Sequence, residues 1–313
     1  MIQYIKRSIP GAVLLSLLIL VVFRTIYHVA VHPVFPWYGH LLSLLLIIGT
    51  GAILSFLNDR YDLLPERTQW IMVTYVWLVS CCPQTYSELR ATAASLLVAA
   101  AAFMLIYSAY TTETRSGPFL CSFFVTCAGL LFFPSYFLLI PCIVSFIRFA
   151  KVLVKDMLAF LGGIAVPFFL LSALLWFLDR DVGYFWSQLG KNFTLWDPAG
   201  AFSSFTIAQT VTVAVLTLLV VLSLFVRLLR KDAATTVNVS RFYSSLLWYV
   251  IFSAAIMIVY PVFAPGFILI LMIPVSILIT SLFSEKRLFG FKIWLALLIL
   301  STLGHWLTFI FPV

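Results

Sequence analysis

Long apolar runs, separated by short loops that carry Lys and Arg, recur along the whole of this 313-residue chain. A helix needs about 20 mainly apolar residues to cross a bilayer, because the hydrocarbon core is roughly 30 Å thick. Only 10% of the residues are charged, against roughly 25% in an ordinary globular domain. With 63% hydrophobic residues, the chain has too little polar surface to coat a water-soluble particle. These features predict an all-α, polytopic membrane protein.

The apolar runs predict a bundle of about 11 transmembrane helices. The segments on either side of Pro134 are the shortest, and they form either one tight hairpin or a broken pair. Residues 1–313 are predicted to form a single transmembrane domain, with an aromatic-rich outer loop at 179–204. The predicted spans are 9–27, 38–57, 68–86, 91–110, 118–133, 135–150, 157–178, 205–226, 242–260, 264–283 and 290–310.

The distribution of Lys and Arg predicts the orientation of these spans, because cytoplasmic loops are enriched in both. If the N-terminus is cytoplasmic and the spans alternate, all basic residues lie inside except Arg24, Arg90, Arg180 and Lys191. This indicates an N-in, C-out topology. Basic loops that face anionic headgroups also account for the net charge of +8. Nucleic-acid binding would require a clustered basic stripe on a soluble module, so we expect membrane lipids as partners and no nucleic acid.

The outer loop contains the sequence VGYFWSQLGKNFTLW at 182–196. Aromatic rings interleaved with polar residues are typical of a segment that lies along the membrane interface. A lid over an outward-facing cavity is the alternative interpretation. In the preceding span, the pair Gly162–Gly163 indicates close helix packing, as small residues do in lipid.

Charged groups at the predicted outer side are the main candidates for a functional site. All eleven acidic residues lie at span ends or in loops, which disfavours ion-coupled transport because that process commonly uses a carboxylate deep in the membrane. The outer charges either line a ligand groove or cap the ends of spans. The candidate outer polar cluster comprises Arg24, Glu88, Arg90, Asp179, Arg180 and Asp181.

Histidine and cysteine give weaker signals. His28 and His32 are spaced like ligands on one helical face, but Pro33 disfavours helical geometry at His32, and no HExxH motif is present. Interfacial imidazoles are the favoured interpretation. The five Cys lack CxxC spacing and fit a role as small buried hydrophobes. We therefore predict no catalytic residue, no metal site and no cofactor.

One part of the chain resembles a known family. The sequences LFFPSYFLLIPCIVSFIRF (131–149) and LGGIAVPFFLLSALLWFLDRD (161–181), joined by a basic turn, resemble uncharacterised integral inner-membrane proteins of Bacteroidota. The earlier segments ERTQW (66–70) and CCPQTYSEL (81–89) share this likeness. The resemblance covers mainly residues 60–180. It implies a multi-pass protein of a bacterial inner membrane and transfers no functional residue.

The sequence favours a non-catalytic role in the cell envelope, with a lipid, a lipid-linked glycan or a membrane protein as the bound partner. Two other functions stay open. A transporter would show deep carboxylates along a cavity. An outward-facing glycosyltransferase with a lipid-linked sugar donor would need an outer carboxylate as base, yet such enzymes usually carry acids in the first outer loop, and residues 28–37 contain none.

The topology is tested by reporter fusions. Fusions after Arg67, Lys155 and Lys231 should report the cytoplasm, because these positions follow basic inside loops. Fusions after Lys191 and Val313 should report the outer side. Paired cytoplasmic and periplasmic reporters at each site provide the control, and a cytoplasmic C-terminus would contradict the eleven-span topology.

Overall fold

The computed structural model describes residues 9–31, 37–64, 68–110, 116–149, 154–195, 197, 207–229, 237–283 and 291–310. Within these ranges the chain forms α-helices and short 3-10 turns, and no strand occurs. In chain order the helices are α1 (Ile9–Val31), α2 (Trp37–Tyr61), α3 (Trp70–Ser80), α4 (Leu89–Tyr110), α5 (Ser116–Leu131), α6 (Leu139–Arg148), α7 (Val154–Phe177), α8 (Val182–Phe193), α9 (Ile207–Leu229), α10 (Val237–Val259), α11 (Ala264–Phe283) and α12 (Phe291–Ile310).

The all-α prediction is confirmed, and each predicted span overlaps one of these helices. In the part of the chain that the structure describes, six helices are long and apolar enough to cross a membrane: α1, α2, α4, α7, α10 and α11. Shorter apolar stretches lie in α3, α5, α6, α9 and α12. These features indicate a multi-pass membrane protein. The helix predicted at 264–283 coincides with α11.

The predicted spans differ from the observed helices most clearly at two places, and a proline explains the difference at each. The span predicted at 68–86 is helical only over Trp70–Ser80, because Pro83 lacks an N–H group and disfavours helical geometry at Cys82. A 3-10 turn over Pro83–Thr85 follows. Around Pro134, Phe132 is extended and a 3-10 turn spans Phe133–Leu138. Two separate helices, α5 and α6, therefore lie on either side of this turn.

The described helices form two compact units. In the first unit (1–92, 204–235 and 271–313), α1 and α2 pack against α3, and α9 packs against α12. In the second unit (93–203 and 236–270), α5 packs against α7, and α10 packs against α6. The single transmembrane domain stays a prediction, since each unit is defined by its own internal packing.

The α5–α7 contact depends on one glycine. The hydroxyl of Ser122 on α5 donates a hydrogen bond of 2.8 Å to the carbonyl of Phe160 on α7. A Cβ atom at Gly163 would overlap the Phe119 carbonyl oxygen and the Ser122 hydroxyl. At Gly162 a Cβ atom would meet only the Phe119 ring, at 3.8 Å. The prediction of close packing at this pair is therefore confirmed for Gly163, while Gly162 has room for a side chain.

Gly163→Ala should lower the free energy of unfolding by about 1–3 kcal/mol, the usual cost of overpacking. Gly162→Ala is the matched control, because both variants gain the same helix propensity, up to about 1 kcal/mol. Thermal unfolding of the purified protein in a mild detergent measures the difference. Equal melting temperatures for the two variants would show that α5 and α7 do not pack through Gly163.

Candidate functional site

Arg24 is the one strongly buried arginine in the described part of the chain. Its side chain is only 4% exposed. Arg24 also belongs to a candidate membrane span, Pro10–Val29. At a rise of about 1.5 Å per residue, its Cα lies roughly 7.5 Å along the axis from Val29. The guanidinium is therefore held inside the protein near one end of α1.

Two residues of α2 orient the guanidinium edge. Nη1 donates to the carbonyl oxygen of His40 at 3.2 Å and lies 3.2 Å from His40 Nδ1. Nη2 donates to the Ser43 hydroxyl at 2.7 Å. Because a guanidinium only donates hydrogen bonds, His40 Nδ1 acts as an acceptor here, and the neutral imidazole carries its hydrogen on Nε2. His40 and Ser43 are three residues apart, so both side chains lie on one face of α2.

Tyr86 covers one face of the guanidinium, with its ring centroid 4.9 Å from Arg24 Cζ. This is a cation–π arrangement, which is strongest when water is excluded. Tyr86 is placed by the 3-10 turn after α3, and its hydroxyl donates to the carbonyl of Ser80. The ring of Tyr27, one turn along α1 from Arg24, meets Tyr86 edge to face at a centroid distance of 4.9 Å.

An aromatic cluster below the guanidinium joins α1, α3 and α12. The Phe23 ring contacts Trp77 and Trp306 edge to face, at centroid distances of 5.6 Å and 5.3 Å. The Trp77 indole N–H donates to the Thr302 hydroxyl at 3.2 Å. These contacts fix the turn of α1 that carries Arg24, because aromatic side chains bury large areas with restricted geometry.

The charge on Arg24 is not balanced by any carboxylate among the described residues. Its partners are an imidazole, a carbonyl, a hydroxyl and a phenol ring, all neutral. Arg24 Nε is buried and has no hydrogen-bond partner. A buried unpaired ion costs several kcal/mol, and a buried N–H without an acceptor costs about 1–3 kcal/mol. An anion bound at Nε would offset both costs, and guanidinium groups favour carboxylates and phosphates.

Two other members of the predicted cluster lie in the same compact unit as Arg24. Glu88 is half-buried and Arg90 is exposed, and both lie at the beginning of α4. They follow Tyr86 closely in the chain, so the structure brings the end of α1 and the beginning of α4 to the same end of the unit. No ion pair joins Arg24 to Glu88 in the described residues, where Tyr86 contacts the guanidinium instead.

The remaining three predicted residues lie in the turn between α7 and α8. Asp179, Arg180 and Asp181 are all exposed. Asp179 has a left-handed backbone conformation, with φ of 51°, and the Asp181 carboxylate accepts a 2.8 Å hydrogen bond from the Gly183 N–H, capping α8. For Asp181 this agrees with the capping alternative. Convergence of these residues with Arg24 stays a prediction.

Sequence reasoning missed His40, Ser43 and Tyr86 as partners of Arg24. The available signal was that Arg24 and His40 lie at adjacent ends of consecutive spans. The proposed pairing of His28 with His32 falls partly outside the described residues, since His32 is not among them, and His28 instead contacts His40 with ring centroids 4.4 Å apart. Within the described ranges, no group of three or more His, Cys, Asp and Glu could hold a metal ion.

Comparison with protein-family models, curated proteins and solved structures finds no match to this chain. The geometry of the chain itself is therefore the guide to its function. Its clearest feature is Arg24, a buried cation surrounded by neutral partners.

The contribution of Tyr86 is tested by two substitutions. Tyr86→Phe keeps the ring beneath the guanidinium and removes only the hydroxyl, so we expect a loss of about 1 kcal/mol in the free energy of unfolding. Tyr86→Leu also removes the cation–π contact and leaves a poorly filled space, so we expect a loss of about 3–5 kcal/mol. Chemical denaturation of both variants in detergent measures these values. Equal losses would show that the ring does not stabilise Arg24.

Proposed function

We propose that this chain is a multi-pass protein of a bacterial inner membrane that binds the acidic headgroup of a lipid or lipid-linked glycan at Arg24. The membrane assignment is supported by the apolar helices and by the resemblance to inner-membrane proteins. The proposed topology has eleven crossings with the N-terminus in the cytoplasm, and the distribution of basic residues supports it. In this topology Arg24 lies near the outer surface.

The burial of Arg24 without a carboxylate is the observation on which the binding role depends. Arg24 donates hydrogen bonds to His40 and Ser43, which orient the guanidinium, and no described residue that contacts it supplies a negative charge. An acidic ligand would supply that charge through Nε, and the low dielectric of the site would strengthen the interaction. This arrangement suits selective retention of an anionic headgroup.

A binding role fits the site better than the two alternatives. The described carboxylates inside candidate spans, Asp59 and Asp156, lie in the last turn of α2 and the first turn of α7. Neither position resembles the deep carboxylate of an ion-coupled transporter. The described residues that contact Arg24 include no carboxylate to act as a general base, and His40 Nδ1 already faces the guanidinium. We therefore propose binding without catalysis.

Arg24→Gln should abolish stabilisation by an acidic lipid. Phosphatidylglycerol, added to delipidated protein at about 100 times its Kd, should stabilise the wild type by about 2.7 kcal/mol. Arg60→Gln is the matched control, because it removes an exposed charge in the last turn of α2, at the opposite end of that helix from His40, and should retain the effect. Thermal unfolding in a nonionic detergent, with phosphatidylcholine as the neutral lipid, measures both. Equal stabilisation of wild type and Arg24→Gln would contradict the proposed site.

A further inference from the structure

Arg24 lies at the border between the buried and the exposed faces of α1. Ala12, Ser16, Leu20 and Phe23 form the buried face of this helix. The opposite face consists of large apolar side chains at helical spacing, and Leu14, at 70% exposure, is the most exposed of them. This exposed ridge comprises Leu14, Leu18, Val21, Val22 and Val29. A lipid chain can lie along such a ridge within the bilayer and reach the edge on which Arg24 lies.

His28 lies one turn along α1 from Arg24, on the same edge of the helix. It follows Arg24 by four residues, which places both side chains on the same flank of α1. His28 is exposed, whereas Arg24 is buried, and the His28 ring rests against His40, the residue that orients the guanidinium. A ligand that approaches Arg24 Nε along this flank of α1 would meet His28 and displace its ring.

The proposed topology puts Arg24 within reach of the phosphate region of a lipid. Its Cα lies about 7.5 Å along the axis from the end of the candidate span, Pro10–Val29. His40 opens the following span, Tyr38–Tyr61, so both residues lie at one membrane boundary. A phosphate has several acceptor oxygens and can bind a guanidinium and an imidazole together.

We infer that the ligand is a phosphate-bearing lipid that enters sideways from the bilayer, past His28, with its chain along the exposed ridge of α1. This inference rests on the proposed function and specifies its ligand. Arg24 Nε donates to a phosphate oxygen, and the displaced His28 imidazole donates to a second one. The entry route distinguishes a lipid headgroup from free phosphate, which has no reason to use the lipid-exposed side.

The source of the phosphate is tested on wild-type protein. Dioleoyl phosphatidylglycerol, glycerol 1-phosphate, inorganic phosphate and oleate are titrated separately, and thermal unfolding is recorded for wild type and Arg24→Gln. We expect Arg24-dependent stabilisation by the long-chain phospholipid at a concentration at least tenfold below that needed for each other probe. Equal potency of a soluble phosphate would overturn lateral entry, and equal potency of oleate would overturn phosphate selectivity, while both would leave the proposed function standing. No Arg24-dependent effect of any probe would overturn the proposed function itself.

The proposed entry of the lipid past His28 is tested by placing a larger side chain at that position. His28→Trp should weaken phospholipid binding at least tenfold, because a larger ring obstructs the passage to Arg24. Leu45→Trp is the matched control, since Leu45 is an exposed residue of α2 on the face opposite His40, and it should bind like wild type. Unchanged binding by His28→Trp would refute passage at His28. If this variant does not fold, the comparison of probes on wild-type protein still decides the source of the ligand.

Discussion

In hydrocarbon, each backbone N–H and C=O must find its hydrogen-bond partner within its own segment, and this constraint explains most of the structure. The described chain meets it with helices and 3-10 turns alone. Small polar side chains follow the same rule, because their hydroxyls donate to carbonyls of the preceding turn, as Thr50 does to Leu46 and Thr126 to Ser122. Ser122 also donates to a neighbouring helix. Arg24 is the exception, since its charge exceeds what neutral partners can compensate.

Interruptions of the helices position aromatic side chains in both units. Pro83 ends α3 early and starts the turn that brings Tyr86 over the Arg24 guanidinium. Pro134 likewise starts the 3-10 turn that holds Phe133, whose ring contacts Phe193 of α8 at a centroid distance of 4.7 Å. In both units, a proline interrupts the helix, and the 3-10 turn beside it positions an aromatic ring against another helix.

The loop at 179–204, which the sequence predicts to lie on the outer side, was foreseen in part. Its aromatic and polar residues indicated an interfacial segment, and the structure shows the amphipathic helix α8 there. The helix begins at Val182 because Asp181 caps it, which is a local signal visible in the sequence. The contact between α8 and the Phe133 turn could not be predicted from the sequence. Phe133 and Phe193 are far apart in the chain, and apolar residues can pack against many partners equally well. The lid interpretation stays a prediction.

The all-α class and the approximate positions of the apolar helices could be predicted from the amino-acid sequence, and Arg24 could be named only as one of six candidate charges. Each depends on local composition, because transfer of a segment into lipid depends on the residues of that segment alone. The burial of Arg24 beside His40, Ser43 and Tyr86, and the exposure of Arg90 and Asp179, became apparent only from the packing of the helices. Burial and pairing are properties of the packed helices, and the cost of an unbalanced charge appears only when its surroundings are known.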